Sequence, residues 1–152
     1  GCVIPSTVTV PERSPDIIAN FNTTNVNCFG TNDGSITIND KIDGNHQVVL
    51  DSGAGNIALQ GAIGETNALT LLSVNKDDGG DADNINDGTI EITNIGSSTS
   101  SAGVDTGTIS IGNKDTETLT LDGTIYTTEG ATIYETATGN NILLTGASPT
   151  IV

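Results

Sequence analysis

The chain has few basic side chains and no long apolar run. Four Lys and Arg residues stand against 19 Asp and Glu, which gives a net charge of −15 at pH 7. This charge argues against nucleic acid and anionic membrane surfaces as partners, because both would repel it. No apolar run approaches the roughly 18 residues that a membrane-spanning helix needs. We therefore expect no nucleic-acid binding, no membrane insertion and a negative field that attracts divalent cations.

Aromatic residues are also scarce, with two Phe, two Tyr, no Trp and no Met. The apolar residues are mainly Ile, Val, Leu and Ala, so the core is expected to be thin. No stretch carries an apolar stripe at helical spacing without Gly, Thr or Asn interrupting it. Thr, Asn, Gly, Ser and Asp favour strands and tight turns. The composition therefore predicts an all-β fold.

Cysteine is limited to Cys2 and Cys28. An even pair in an acidic chain rich in Thr and Asn is typical of an oxidising, extracellular compartment. We expect a disulfide, which would close about 25 residues and stabilise the chain by roughly 3–4 kcal/mol; two free thiols are the alternative. The chain does not begin with Met, and we interpret it as a segment of a larger protein.

Residues 1–31 differ in composition from the rest of the chain. They contain three of the four prolines, both cysteines, both phenylalanines and the only arginine. We expect an N-terminal arm or small disulfide-linked module over 1–31 and a β-solenoid-like domain over 32–152. Within the arm, Thr7 to Val10 alternates polar and apolar residues between Pro5 and Pro11, as an edge strand does. Such a strand is available to pair with another chain.

From residue 32 onward the chain repeats a turn ending in Gly, followed by two β-branched residues spaced by two. The segment 32–38 is echoed at 86–92 and again at 107–111. Residues two apart in a strand point to the same face, so each unit directs two aliphatic side chains inward. The residues expected to share one continuous core are Ile90, Ile92, Ile109, Ile111, Leu119 and Leu121.

The glycines of these units predict the architecture. Gly88, Gly107, Gly123 and Gly139 lie about 19, 16 and 16 residues apart, a spacing typical of solenoids. We therefore predict a right-handed parallel β-helix. A β-sandwich is the alternative, because further turn signals at Asn67, Gly96 and Gly130 bring the spacing closer to the 8–12 residues of hairpin folds. Residues 96–106, rich in Ser, Gly and Thr, are expected to form a solvated loop.

Two segments resemble known surface proteins. Residues 55–61, 68–75 and 119–134, which carry the Gly-led aliphatic pattern, resemble the filamentous haemagglutinin-type adhesins, whose right-handed parallel β-helices project from bacterial surfaces. Residues 25–38 are similar to the start of the Cys-marked repeats in large gliding-type surface adhesins. Both resemblances imply an extracellular location on a bacterial cell surface, and the first implies a shaft segment.

An acidic run between residues 76 and 88 is the candidate metal site. Its carboxylates repel one another unless a cation lies among them, and oxygen ligands at this density suit Ca²⁺. The register does not match an EF-hand loop, because Ile85 falls at the fifth position when Asp81 is the first ligand. A solvated acidic loop is the alternative. The candidate ligands are Asp77, Asp78, Asp81, Asp83 and Asp87.

Enzymatic chemistry is not expected. Acid pairs such as Asp77 with Asp81 or Asp83 could cleave polysaccharides, but that work needs a cleft and a supporting Arg, Lys or aromatic platform, of which the chain has few. The only histidine, His46, lies in a turn-like run and is expected to be a solvated loop residue.

We expect a structural or adhesive segment of a secreted bacterial surface protein. A subunit of a fibre assembled by strand addition is one alternative, and a polysaccharide-binding or lyase module is another. The run 141–152 has no charged side chain and so does not resemble a solenoid cap. Either the rest of a larger protein or the arm of a neighbouring copy, Val3 to Val10, is expected to cover it.

Overall fold

The computed structural model describes residues 21–24, 34–75, 87–97, 103–105 and 107–151. Within these ranges the regular secondary structure consists of short strands. No helix in the described ranges has the length and apolarity needed to cross a membrane. The strands are β1 (Phe21–Thr24), β2 (Ser35–Ile38), β3 (Gln47–Leu50), β4 (Ile57–Leu59), β5 (Leu71–Val74), β6 (Asp87–Ile92), β7 (Ile109–Ile111), β8 (Thr116–Leu121), β9 (Ile125–Tyr126), β10 (Thr132–Tyr134), β11 (Ile142–Leu144) and β12 (Thr150–Ile151).

The strands form the three sides of a parallel β-helix. The long sheet has the order β1-β2-β4-β6-β8-β11, and the short sheet has the order β10-β7-β5-β3. The third side contains β9 and β12, and single bridges extend it through Ile95, Ile63 and Ile42. Each rung passes through the long sheet, the third side and the short sheet before the next rung stacks on it in parallel. This confirms the predicted solenoid and not the antiparallel sandwich.

The core consists of columns of inward-facing side chains that repeat from rung to rung. In the long sheet Ile57 pairs with Ile90 and Ile90 pairs with Leu119, while in the short sheet Leu72 pairs with Ile109. Burying each such side chain contributes roughly 1.5–3 kcal/mol. The six residues predicted to share a core are all at most 1% exposed, which confirms that prediction: Ile90, Ile92, Ile109, Ile111, Leu119 and Leu121.

The rungs are longer than the glycine spacing predicted. Hydrogen bonds between successive rungs join residues 23 apart at Ser52 and Asn75, 33 apart at Asn56 and Thr89, and 31 apart at Asn94 and Ile125. The predicted step of 16–19 residues is therefore wrong. The glycines mark different corners of the rungs, and neighbouring glycines along the chain belong to different columns.

Glycines stack on glycines at these corners because the backbones of successive rungs approach closely. A Cβ on Gly55 would lie 1.3 Å from the carbonyl oxygen of Gly34, and a Cβ on Gly130 would lie 1.3 Å from that of Gly107. Any larger residue at Gly55 or Gly130 would have to displace backbone. The recurring glycines are thus required by rung-to-rung contact at the corners.

Asn and Asp side chains connect the rungs at the corners. The Oδ1 atom of Asn94 accepts hydrogen bonds from the backbone N–H groups of Thr124 (2.8 Å) and Ile125 (3.1 Å). Oδ1 of Asp43 accepts from the N–H groups of Thr66 (3.0 Å) and Asn67 (2.7 Å). Burial alone would raise the pKa of Asp43, but these donors, together with the Thr66 hydroxyl and the nearby Lys41, lower it. Asn and Asp side chains, which compete with helix formation, therefore accept hydrogen bonds from backbone N–H groups where the strands end.

One part of the predicted solvated loop belongs to the core. Val104 is 0% exposed and bridges Leu69 on one side and Thr128 on the other. The Gly96 N–H donates to the Ile63 carbonyl, and the Gly103 N–H donates to the Thr127 carbonyl. The prediction that 96–106 is solvated throughout is therefore wrong for Gly96 and for 103–104. Residues 98–102 and residue 106 lie outside the described residues.

Candidate assembly interface

The two edges of the long sheet differ. At one edge β1 pairs antiparallel with β2, with Phe21 opposite Ile38 and Thr24 opposite Ser35. At the other edge β11 pairs in parallel with β8, and no further strand of the described residues follows it. An uncovered strand edge is a template for pairing with another strand. The last rung, formed by β11 and β12, is therefore a candidate interface.

The last rung continues the core columns but leaves them uncovered. Ile142 and Leu144 pair with Leu119 and Leu121, and Ile151 pairs with Tyr126. Their partners are at most 1% exposed, whereas Ile142 is 41% exposed and Leu144 and Ile151 are each 52% exposed. Inward-facing apolar side chains thus form an exposed end face, onto which a further rung would stack.

Among the residues that the structure describes, the short sheet has no strand in the last rung. It ends at β10, so the exposed side of β10 lies beside β11 and β12 without a matching third strand among the described residues. Ile133 on β10 is 48% exposed. Tyr134 packs partly against the core, and its pKa is raised to about 12, first by burial and then by the nearby Tyr126. In the described residues the end face therefore includes the outer edges of both β10 and β11.

The last rung itself contributes no charged side chain, and the nearest carboxylate that contacts it is the exposed Asp122, whose Oδ1 accepts a hydrogen bond from the Thr145 hydroxyl (2.7 Å). The last charged side chain along the sequence is Glu135, and none follows it up to residue 152. Copies of a chain with a net charge of −15 repel one another over most of their surface. The last rung adds no charge to that repulsion, and its exposed side chains include Ile142, Leu143, Leu144 and Ile151.

The predicted calcium site falls mostly outside the described residues. Asp77, Asp78, Asp81 and Asp83 lie there entirely, and Asp87 is described only through its backbone, which pairs with Thr116 at the start of β6. In the described ranges no three His, Cys, Asp or Glu residues come together as a metal-binding group. The acidic run enters the fold between β5 and β6, at the corner between the short and long sheets, and calcium binding there stays a prediction. The proposed disulfide partners, Cys2 and Cys28, also lie outside the described residues.

The remaining candidates from the sequence occupy different environments. His46 is exposed, as predicted. Tyr126 is 1% exposed, and its hydroxyl accepts a hydrogen bond from the Gly123 N–H (2.6 Å) and donates one to the Ile92 carbonyl (3.1 Å). Burial, and after it the charge of Asp122, raises the pKa of Tyr126, despite the opposing Gly123 N–H. A buried tyrosine that bridges two backbone groups cannot be the surface platform on which a sugar ring stacks.

Sequence reasoning anticipated the end face but missed the β10 edge. The uncharged run 141–152 indicated an uncapped end, and its exposed aliphatic residues agree with that expectation. The position of β10 at the edge of the short sheet depends on how many strands each side of the solenoid contains. The sequence pattern alone does not reveal that number. The short alternation Thr132-Ile133-Tyr134 was the available signal for a strand at that position.

A scan against protein-family models, a search of curated proteins and a search of solved structures each found no match. The resemblances to surface adhesins therefore stay hypotheses from the sequence.

Proposed function

We propose that this chain is a structural segment of a secreted bacterial cell-surface protein, in which stacked rungs form part of a shaft. The observation that carries the proposal is the end face: Ile142, Leu144 and Ile151 continue the core columns in register but remain exposed. Such a face is suited to carry further rungs. The acidic charge and the family resemblances favour an extracellular location.

The location can be tested on the cells that make the protein. Antibodies raised against the purified chain should label intact cells as strongly as permeabilised ones, with an antibody to a cytoplasmic protein as the control that labels only permeabilised cells. Immunogold electron microscopy should place the label outside the outermost cell boundary. Labelling that requires permeabilisation would contradict the proposal.

A shaft segment and an adhesive or sugar-binding segment differ in their ligands. We expect the purified chain to bind neither extracellular matrix proteins nor a panel of bacterial and host polysaccharides above background. The burial of Tyr126 supports this expectation, because it leaves Tyr134 as the one other tyrosine, and that ring packs partly against the core. Saturable binding to a polysaccharide would instead favour the binding-module alternative.

A fibre subunit is the second candidate, and the exposed aliphatic side chains of the last rung, Ile142, Leu144 and Ile151, favour it because a second copy would bury them. Strand addition at an open sheet edge is a general mode of assembly, in which main-chain hydrogen bonds give affinity and alternate side chains give specificity.

A further inference from the structure

The outer face of the short sheet exposes aliphatic side chains. Val48 and Leu50 pack against the core, so the alternation of β3 directs Val49 outward, where it is 67% exposed. On β10 the side chain of Tyr134 packs against the core, so Ile133 points outward and is 48% exposed. Both side chains project from the face of the sheet and not from its edge, so a further rung stacked on either end would leave this face open.

These two residues end one column that runs along the solenoid axis. Val49 pairs with Ser73, Ser73 with Ser110, and Ser110 with Ile133. Ser110 is only 5% exposed, so the aliphatic side chains at the ends of the column would make most of the contact with a partner. The outward positions on and beside the four strands carry no charge, in a chain with 19 acidic residues. They are Gln47, Val49, Leu71, Ser73, Thr108, Ser110, Ala131 and Ile133.

Carboxylates line both sides of this uncharged face. Asp51 and Glu135 each follow the last inward-facing residue of a strand and are exposed. On the opposite side Asp105 and Glu129 directly follow a pair of bridged residues in neighbouring rungs and are also exposed. Residues that follow an inward-facing position point outward. The uncharged outward positions and these four carboxylates together form an acid-rimmed face.

The charge of the rims and of the whole chain favours a cationic partner. Among the described residues, Lys114 contacts Asp115 in the corner that follows β7, and Lys41 lies 3.9 Å from Asp43 beside the third side. Complementary charge at the border of an interface gives specificity and speeds encounter. The rim carboxylates and the net charge of −15 attract a cationic partner and repel an anionic one.

The dimensions of the acid-rimmed face suit an α-helix. The chain advances about 20 Å from Glu129 to Glu135, and the strands of the short sheet together span about 14 Å along the axis. A helix with its side chains is about 10–12 Å wide, so it fits between the rims and leaves about 4–5 Å on each side for Lys or Arg side chains to bridge. An extended strand lying on this face would leave its own N–H and C=O groups unpaired, because β5 and β7 already pair on both sides.

We propose that the acid-rimmed face binds a cationic amphipathic helix of a partner protein. The aliphatic stripe of the helix covers Val49, Leu71 and Ile133, and Lys or Arg side chains on both flanks pair with the rim carboxylates. Such a helix buries apolar surface that the sheet otherwise leaves in water. This partner is neither a polysaccharide nor a further rung, so its binding is independent of the shaft proposal.

A labelled peptide tests the face directly. The probe is a helical peptide of about 14 residues, with Leu at the i, i+3, i+4 and i+7 positions and Lys on both flanks of that stripe. Fluorescence anisotropy measures its Kd for the intact chain as the salt concentration is varied. We expect saturable one-to-one binding that weakens as salt rises. The same residues in scrambled order, which form no stripe, and a version with Glu in place of Lys should each bind at least about tenfold more weakly.

The aliphatic contact is tested on the full-length chain. Val49→Ser combined with Ile133→Ser removes the two exposed aliphatic side chains and should raise the Kd about tenfold. Leu143→Ser is the control, because Leu143 is 43% exposed on the outer face of the long sheet, and its Kd should stay within about twofold of that of the intact chain. Circular dichroism and the melting temperature report whether each variant keeps its fold.

The charged contact is tested by a second pair of variants, which decides the matter even if the serine variant does not fold. Glu129→Gln combined with Glu135→Gln removes one carboxylate from each rim and should raise the Kd about fivefold and reduce its dependence on salt. Glu91→Gln combined with Glu117→Gln is the control of equal net charge, because both residues are exposed on strands of the long sheet. Its Kd should stay close to that of the intact chain.

Four outcomes would overturn this assignment. Equal weakening by the two glutamine variants shows that the peptide follows net charge and not the acid-rimmed face. Equal binding of the scrambled peptide shows that no helical stripe is recognised. An intact chain that binds no peptide shows that the face is closed to a helix. A chain that self-associates in sedimentation velocity, and that the serine variant makes monomeric, shows that a second copy occupies the face. Surface labelling of intact cells tests the shaft proposal separately.

Discussion

The Tyr126 hydroxyl connects two backbone groups inside the fold, and Tyr126→Phe removes that connection without changing the ring. The hydroxyl accepts from the Gly123 N–H at 2.6 Å and donates to the Ile92 carbonyl at 3.1 Å, both in buried surroundings. After the substitution the Ile92 carbonyl keeps a second donor, the Asp122 N–H at 2.9 Å. The Gly123 N–H has no such replacement among the described hydrogen bonds.

The expected loss of stability follows from these contacts. A buried donor left without its partner costs about 1–3 kcal/mol, and a single hydrogen bond lost from a carbonyl that keeps another contributes about 0.5–1.5 kcal/mol. Phenylalanine fills the same space, so no cavity term is added. Adding the two contributions, we expect Tyr126→Phe to lower the free energy of unfolding by about 1.5–4.5 kcal/mol.

Urea unfolding followed by circular dichroism measures this difference. An unchanged slope of the free energy of unfolding against urea concentration would show that the folded state keeps its compactness. Tyr134→Phe is the matched control. Its ring packs partly against the core, and no hydrogen bond of its hydroxyl is found in the described part of the chain, so a change within about 0.5 kcal/mol is expected. Equal stability of Tyr126→Phe and the intact chain would refute the assigned bridge, and a larger effect at Tyr134 would reverse the roles of the two tyrosines.

Three further expectations address the core, alkaline pH and calcium. Ile109→Asp should unfold the domain, because it loses the roughly 1.5–3 kcal/mol that burial of the isoleucine contributes and adds a buried unpaired charge. Val49→Asp is the control, because Val49 is 67% exposed and its replacement should leave the melting temperature nearly unchanged. Similar melting temperatures for the two variants would contradict the core assignment. The raised pKa of Tyr134 contributes stability that is fully present below pH 10 and is lost as pH rises toward about 12, because the tyrosine of the unfolded chain ionises first. The urea midpoint of unfolding should therefore fall more steeply with pH across this range for the intact chain than for Tyr134→Phe. Equal slopes of midpoint against pH in the two proteins would contradict this assignment. Millimolar Ca²⁺ should raise the melting temperature and Mg²⁺ should do little if the aspartates within 77–87 bind a cation, whereas identical melting curves in calcium and in chelator would exclude the site.

The local pattern predicted the core, but it could not give the length of a rung. Paired aliphatics two apart, such as Ile109 and Ile111, are sufficient to identify inward positions because strand geometry alternates faces. The glycines gave the wrong period because Gly88 and Gly107 lie at different corners of one rung. Only the pairing between rungs distinguishes a corner glycine from a rung repeat, and that pairing is not local in sequence.

The same limit explains what was missed at the two ends. Sequence reasoning placed an edge strand at Thr7 to Val10, which lies outside the described residues, and did not identify β1, whose sequence Phe-Asn-Thr-Thr has no alternation of apolar residues. Val104 was assigned to a loop because one aliphatic residue among Ser, Gly and Thr carries no periodic signal. Its burial arises from the column it shares with Leu69 and Thr128.

The corners between the sides of the solenoid give it an unusual tolerance of added sequence. Residues 76–86 intervene between β5 and β6, yet Ile57 still pairs with Ile90 and Leu59 with Ile92. Residues 98–102 intervene between Ile95 and Val104, and both of these residues keep their bridges to the neighbouring rungs. In general, doubling the length of a flexible loop costs only about 0.6 kcal/mol, so sequence added at such a corner leaves the rungs stacked at little cost. The strands and not the number of residues between them thus set the register of the rungs, so a peptide inserted at either corner would be displayed on an unchanged scaffold.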